Sequence, residues 1–140
     1  MVSVLLISHG DMAAAMVRSA AMLLGRQPRL KGLSLLPSDS AEGFWGKLER
    51  AAAKLDCGEG LVILSDFPLG TPFNTALRLQ SGAAVQHLTG MSMPMLLAIL
   101  RDRADPSLTA EKLSERALAA AAKESFSVNQ FIKALGEQTL

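Results

Sequence analysis

Hydrophobic and polar residues follow two patterns along this chain, short unbroken apolar runs and longer stretches in which apolar residues recur at helical spacing. The apolar runs predict four buried β-strands, at residues 2–8, 31–36, 61–65 and 83–88. The helical spacing predicts five helices, at residues 11–24, about 40–55, 72 to about 81, 94–100 and about 109–123. Strands and helices therefore alternate over most of the chain.

This alternation predicts the fold class. A helix between successive strands crosses the sheet and makes the strands parallel, which leaves both faces covered. We therefore expect an α/β, doubly wound, mainly parallel sheet in the order 2-1-3-4, flanked by helices. The 140 residues suit one domain, residues 1–140, with its own core.

The C-terminal tail, about residues 124–140, gives an ambiguous pattern. Its segment 126–133 is compatible with an antiparallel edge strand and with a frayed helix, and it is too short to form another domain.

The amino-acid composition argues against several classes of binding partner and cofactor. Fourteen basic and thirteen acidic residues leave a net charge of +1, which predicts neither a nucleic acid nor an anionic membrane surface as a partner. The single cysteine, Cys57, has no internal disulfide partner, and no Cys and His residues are spaced as metal ligands. We expect no metal and no cofactor. The apolar start breaks at residues 8–10, so it predicts no signal peptide and no membrane insertion, and a cytoplasmic location is expected.

Two titratable side chains directly end predicted strands. His9 follows the first strand and Asp66 follows the third, and these strands are neighbours in the expected order. Their carboxyl ends then meet at the switch point of the sheet, where ligands bind in such folds. A carboxylate that accepts the proton of one ring nitrogen leaves the other nitrogen free as a nucleophile. The pair suits a phosphohistidine, with His9 as phosphoryl acceptor and Asp66 orienting and stabilising its ring.

Phosphoryl oxygens need hydrogen-bond donors, and backbone N–H groups after Gly10 and around Gly70 and Thr71, with the Thr71 hydroxyl, are candidates. Other interpretations remain open for these positions. Asp66 also suits a loop cap, and Thr71 suits a helix N-cap followed by Pro72 in the first helical turn.

Two further alternatives concern the histidine itself. His9 is compatible with a turn histidine that makes only a structural hydrogen bond. Asp11 is a weaker rival of Asp66 for the ring, because at a helix start a carboxylate complements the helix dipole.

Three sequence stretches together resemble a known family. They are Leu6-Ile7-Ser8-His9-Gly10 with Met22-Leu23-Leu24-Gly25, then Leu64-Ser65-Asp66 leading to Gly70-Thr71-Pro72-Phe73-Asn74, then Gly90-Met91-Ser92-Met93-Pro94-Met95-Leu96. In order and separation they are similar to the IIA component (EIIA) of the mannose/fructose/sorbose-type bacterial sugar phosphotransferase system. Where the family often has Gly-Gly-Ser-Pro, this chain has residues 69–72 as Leu-Gly-Thr-Pro, which keeps the hydroxyl and loses one glycine.

The resemblance implies a phosphotransferase that acts as a phosphocarrier in sugar uptake. It implies that a phosphoryl group passes from phospho-HPr to His9 and then to a IIB protein or domain, with Asp66 as the hydrogen-bond partner of His9. It also implies a homodimer in which a C-terminal strand is exchanged, a strand that the tail would have to supply.

Two other classes compete with the carrier. One is a non-covalent flavodoxin-like binding or regulatory module, although the first strand ends in neither an acidic pair nor a glycine-rich phosphate loop. The other is a histidine-phosphatase-like enzyme, which needs an arginine before the first histidine and a second catalytic histidine. This chain has Ser8 at that position, and its other histidine, His87, falls inside a predicted strand, where packing is favoured over catalysis.

Overall fold

A parallel sheet forms the centre of the computed structural model, which describes residues 1–79 and 84–139. Within these residues the sheet has four strands in the order β2-β1-β3-β4, and every neighbouring pair is parallel. The strands are β1 Ser3–His9, β2 Leu30–Leu35, β3 Leu61–Ser65 and β4 Val85–Thr89. The predicted fold class and strand order are confirmed.

Helices connect the strands and complete the C-terminal part of the chain. They are α1 Met12–Leu24, α2 Ala41–Leu55, α3 Thr71–Ala76, α4 Met93–Asp102, α5 Ala110–Glu124 and α6 Val128–Thr139. A 3₁₀ turn, Leu77–Leu79, continues α3. The predicted end of the third helix near residue 81 and the predicted start of the fourth strand at residue 83 lie outside the described residues.

The core has two layers because successive side chains of a strand point to opposite faces of the sheet. On one face, β1 and β3 present Val4, Leu6, Val62 and Leu64 to α1, α4 and α5. On the other face they present Leu5, Ile7 and Ile63 to α2 and the end of α3. Every residue of β1 up to Ser8 is buried, and His9 is its first exposed residue.

A buried arginine forms hydrogen bonds with the backbone at the amino ends of the strands. Arg103, at the end of α4, is 2% exposed, and its guanidinium donates to the carbonyl oxygens of Val2 and Arg29 at 3.0 and 3.2 Å and to that of Pro28. Burial, and to a smaller degree the charge of Arg29, lowers the pKa of Arg103. This contact joins α4 to the starts of β1 and β2, at the edge opposite His9.

The structure of the C-terminal tail decides between the edge strand and the helix that its sequence left open. The tail is a helix, α6, and not an antiparallel edge strand, so the described part of the tail supplies no strand for exchange with a second copy. The reason is the spacing of its apolar residues, since Val128, Phe131, Ile132 and Leu135 recur every three or four positions. The Ser127 hydroxyl also accepts the N–H of Gln130, as at a helix start.

Candidate functional site

A histidine and an aspartate meet at the carboxyl edge of the sheet. His9 is the last residue of β1, and Asp66 follows β3, its hydrogen-bonded neighbour. Asp66 Oδ2 accepts both the ring Nδ1–H of His9, at 2.7 Å, and the backbone N–H of His9, at 2.9 Å. One carboxylate oxygen therefore holds the backbone and the ring of the same residue.

The carboxylate of Asp66 is held in its ionised form. Burial raises the pKa of this group, but hydrogen bonds from the backbone N–H and ring of His9 and from the Phe67 N–H lower it more, so the pKa lies below its ordinary value. The side chain of Asp66 is 9% exposed, whereas that of His9 is 44% exposed. An ionised Asp66 places the ring proton on Nδ1 and leaves the lone pair on Nε2.

The second ring nitrogen of His9 faces the start of α3. A Cβ atom built on Gly70 would lie 2.8 Å from Nε2, so the backbone of this loop passes directly against the nitrogen. The ring of Phe67 lies 5.3 Å from the His9 ring, between centroids, and is tilted by 40°. Nε2 is thus bordered by backbone on one side and stays open on another.

The start of α3 differs from the prediction by one residue. Gly70, at φ 89°, is the N-cap, so Thr71 and Pro72 occupy the first two helical positions. Thr71 is therefore not the helix cap, because the left-handed conformation of Gly70 turns the chain one residue earlier. The Thr71 hydroxyl is left without a hydrogen-bond partner among residues 1–79 and 84–139. The Thr71 and Phe73 N–H groups lie in the first turn, ahead of the first helical bond, from the Asn74 N–H to the Gly70 carbonyl.

Gly10 makes the turn from β1 into α1. It has φ 59°, and its own N–H donates to the Leu35 carbonyl at 2.8 Å. Donors on this side of the site are therefore the amides after Gly10, at Asp11 and Met12, and not that of Gly10 itself.

Ser8 supports the same turn, a role that the sequence reasoning missed. Its hydroxyl accepts the Ala13 N–H at 2.8 Å and donates to the Gly10 carbonyl at 3.2 Å. A serine that ends a buried strand just before a helix is the signal that would have found it.

Asp11, the weaker rival of Asp66, has a different partner. Its carboxylate accepts the Arg18 guanidinium at 2.9 Å, and both side chains are exposed. His9 therefore pairs with Asp66 and not with Asp11.

His87 does not form a pair with His9. It lies in β4, where its Nε2 contacts the Ser65 hydroxyl at 2.8 Å and its ring contacts that of Phe73, with centroids 5.1 Å apart. A phosphatase with two facing histidines needs a different arrangement.

Residues 1–79 and 84–139 contain no group of three or more His, Cys, Asp or Glu side chains that could hold a metal ion. No helix in these ranges is long and apolar enough to cross a membrane.

Fold and site together define a class: a doubly wound α/β protein with a histidine–aspartate pair at the switch point of its sheet. A family model, described as PTS system fructose IIA component, matches residues 3–118. The chain belongs to this family, the IIA components of sugar phosphotransferase systems.

Individual relatives agree with this assignment. The chain is 31% identical over 105 residues to the PTS system mannose-specific EIIAB component of Escherichia coli (strain K12), covering 74% of this chain and 32% of that protein. The chain thus spans about a third of the length of that relative. It is 28% identical over 129 residues to the PTS system sorbose-specific EIIA component of Klebsiella pneumoniae, covering 88% and 89% of the two chains.

A solved structure supports the fold. The phosphotransferase system component EIIA from Streptococcus agalactiae superposes with a TM-score of 0.84 at 18% identity, over 93% of this chain and 99% of that one. At this identity the likeness shows the fold alone.

Proposed function

We propose that the chain is a phosphocarrier that accepts a phosphoryl group from phospho-HPr on Nε2 of His9 and passes it to a IIB protein or domain. The observation that carries the proposal is the 2.7 Å bond between His9 Nδ1 and Asp66 Oδ2, which leaves Nε2 as the basic nitrogen. Membership in the IIA family supports the same role.

The transfer exchanges one phosphorus–nitrogen bond for another. The Nε2 lone pair of His9 attacks phosphorus, a bond forms between them, and the bond to the donor histidine breaks with its electron pair returning to the donor nitrogen. The His9 ring becomes positively charged while Nδ1 keeps its proton. The ionised Asp66 stabilises that charge, which is the purpose of a carboxylate behind an imidazole nucleophile. The reverse exchange, with the IIB acceptor as nucleophile, releases the group.

The phosphoryl oxygens would be bound by groups around Nε2. The amides of Thr71 and Phe73 and the Thr71 hydroxyl, which has no partner within residues 1–79 and 84–139, belong to the start of α3, and the amides after Gly10 belong to the start of α1. Gly10 and Gly70 would contribute by their backbone geometry, because each has a positive φ and turns the chain into the start of a helix, where free amides bind anions.

The surface around His9 suits a protein partner. Four exposed apolar side chains lie on the segments that surround it, at the start of α1 and after β2 and β3: Met12, Leu36, Phe67 and Leu69. Exposed apolar groups at one edge favour protein contact over a small ionic donor.

The test is intact-mass spectrometry after incubation with phosphoenolpyruvate, enzyme I and HPr. We expect one acid-labile phosphoryl adduct on the native chain and none on His9→Ala. The matched control is Lys54→Ala, on a helix away from the site, which should keep the adduct. An adduct that persists in His9→Ala would disprove the assignment.

We also propose that the chain pairs with a second copy through its C-terminal helix. Residues 122–138 are all exposed, and α6 carries Phe131, Ile132 and Leu135 on its surface. Sedimentation velocity should show a dimer for the native chain and a monomer for the double variant Phe131→Glu, Ile132→Glu. Met22→Glu, at an apolar residue of α1 that is 88% exposed, is the control and should remain dimeric. A native monomer at every concentration would contradict this pairing.

A further inference from the structure

A chain of three polar side chains lies behind the site, on the α3 face of the sheet. Ser65 Oγ donates to Thr89 Oγ1 at 2.9 Å and contacts His87 Nε2 at 2.8 Å. Since a hydroxyl has one proton, and that of Ser65 is directed at Thr89, the His87 ring supplies the proton of the other bond. The order of donation is therefore from His87 to Ser65 to Thr89.

This chain is anchored where β3 ends. Ser65 is fully buried, and its carbonyl accepts the Met91 N–H at 3.0 Å, across the gap between β3 and the turn after β4. Asp66 is the next residue, and its carboxylate holds the His9 ring. The direction in which Asp66 leaves the sheet thus depends on how Ser65 is held.

The same imidazole also contacts the other side of the site. Its ring lies against Phe73, at 5.1 Å between centroids, and Phe73 is in the first turn of α3, three residues after Gly70. Gly70 is the backbone that passes against His9 Nε2. His87 therefore contacts both the strand that delivers Asp66 and the helix that begins beside the reactive nitrogen.

We propose that His87 is a positioning residue for the chemistry of His9: it fixes the end of β3 through Ser65 and the start of α3 through Phe73. The proposal rests on the phosphocarrier function proposed above. It gives a role in the reaction to a side chain that touches neither His9 nor the phosphoryl group.

The electrostatic surroundings of His87 fit this role. Burial lowers the pKa of His87, so the ring stays neutral and acts through its hydrogen bond and its packing. A neutral ring near the site adds no second positive charge that would compete with the phosphorylated His9 ring for the Asp66 carboxylate.

The experiment compares three variants. His87→Ala removes both contacts, and His87→Gln keeps an N–H donor at a similar reach. Val85→Ala, two residues earlier on the same face of β4, removes packing without touching the chain of hydroxyls. For each variant we would measure the titration of the Asp66 carboxyl by carbon-13 NMR and the rate of phosphorylation by phospho-HPr.

In His87→Ala we expect the Asp66 carboxyl to titrate at higher pH than in the native protein, because its bonds to His9 loosen. We expect the rate of phosphorylation to fall by about three- to tenfold, the size of effect that follows the loss of one neutral hydrogen bond. His87→Gln should recover part of both losses. Val85→Ala should lower the melting temperature with both readouts native, which separates positioning from general stability.

A native Asp66 titration in His87→Ala would overturn the proposal, and so would a native rate. The NMR readout needs no phosphoryl donor, so it tests the positioning even if the phosphocarrier function fails. If His87→Ala does not fold, Ser65→Ala breaks the same hydrogen bond from the other side with almost no change in volume. It should shift the Asp66 titration in the same direction, and an unshifted titration there would equally refute the proposal.

Discussion

At the scale of single residues, the site depends on a glycine that has two constraints. Gly70 has a left-handed φ of 89°, and an added Cβ would lie 2.8 Å from His9 Nε2. The first constraint costs stability in any residue with a side chain, whereas the second acts on the His9 ring, at Nε2 and at the neighbouring Cε1.

Gly70→Ala should therefore block phosphorylation of His9 and destabilise the chain by about 1–2 kcal/mol. Gly58→Ala is the matched control, because Gly58 has φ 78° and open space around the added Cβ. It should be destabilised by a similar amount and be phosphorylated at the native rate. Urea unfolding and adduct formation measure the two effects, and equal phosphorylation of both variants would contradict the close approach.

The pKa of Asp66 gives a second residue-scale prediction. Because this pKa is lower in the folded chain than its ordinary value of 3.8, the unfolded chain binds the proton more tightly. The stabilisation by Asp66 is thus complete above the ordinary value and is lost as pH falls through the folded pKa.

We expect Asp66→Asn to have a lower free energy of unfolding than the native chain at about pH 7, and we expect the difference to shrink as the pH falls below 3.8, the ordinary pKa of the carboxyl. The pKa values of Asp39 and Asp105 are also lowered, but these carboxyls are unchanged in both proteins, so the difference isolates Asp66. Urea unfolding across this pH range provides the measurement. A difference that does not change with pH would mean that the ionised carboxylate adds nothing.

Sequence reasoning at this scale succeeded where a residue's position follows from the end of a strand. His9 and Asp66 were brought together by this rule, and the structure has them in contact. It failed where local backbone geometry decides. The left-handed Gly70 moved the helix cap away from Thr71, and the bond from His87 to Ser65 depends on the register of β4 against β3, which no local pattern contains.

At the scale of elements, the carboxyl ends and the amino ends of the strands have different roles. The carboxyl edge, after β1 and β3, holds the site, and the amino edge is tied together by Arg103. Buried side chains with several hydrogen bonds are among the few whose loss destabilises a protein strongly.

Arg103→Met should lower the free energy of unfolding by about 2–4 kcal/mol, because carbonyl groups at the starts of β1 and β2 lose their donor. Arg101→Met, an exposed position of the same helix, should change it by less than about 0.5 kcal/mol. Urea denaturation of both variants tests this. If the free energy of unfolding falls as little in Arg103→Met as in the control, the hydrogen bonds of the buried guanidinium do not stabilise the fold.

Element prediction was most reliable for the central strands. An unbroken apolar run such as β3 is buried on both faces and has few alternatives. The tail was ambiguous because Phe126 and Val128 alternate with polar residues as in a strand, whereas the spacing from Val128 to Leu135 is that of a helix.

At the scale of the whole molecule, the alternation of strands and helices predicted a parallel sheet, because crossover connections allow few arrangements, and the order 2-1-3-4 expected among them is the one observed. The proposed pairing with a second copy did not follow from it, since such a pairing depends on surface residues that the fold leaves free. The apolar side chains of α6 belong to that surface.

A chain truncated after residue 125 should fold with the same sheet and lose the dependence of its melting temperature on protein concentration. The native chain should melt at higher temperature as its concentration rises, because association stabilises the folded form. Calorimetry over a hundredfold range of concentration measures this. A native melting temperature that does not vary would argue against a dimer held by α6.

Asp66 Oδ2 accepts hydrogen bonds from both the backbone N–H and the ring of His9, and this has a consequence for how partner proteins reach the site. These hydrogen bonds orient the imidazole in the folded chain, so the entropic cost of orienting it is not incurred again each time a partner binds. The proposed phosphoryl donor and acceptor would then both meet Nε2 in the same orientation. Different partners can then differ only in how they contact the surface around the site. Substitutions that change which partner is accepted should therefore lie among the exposed residues around the site and leave His9 and Asp66 unchanged.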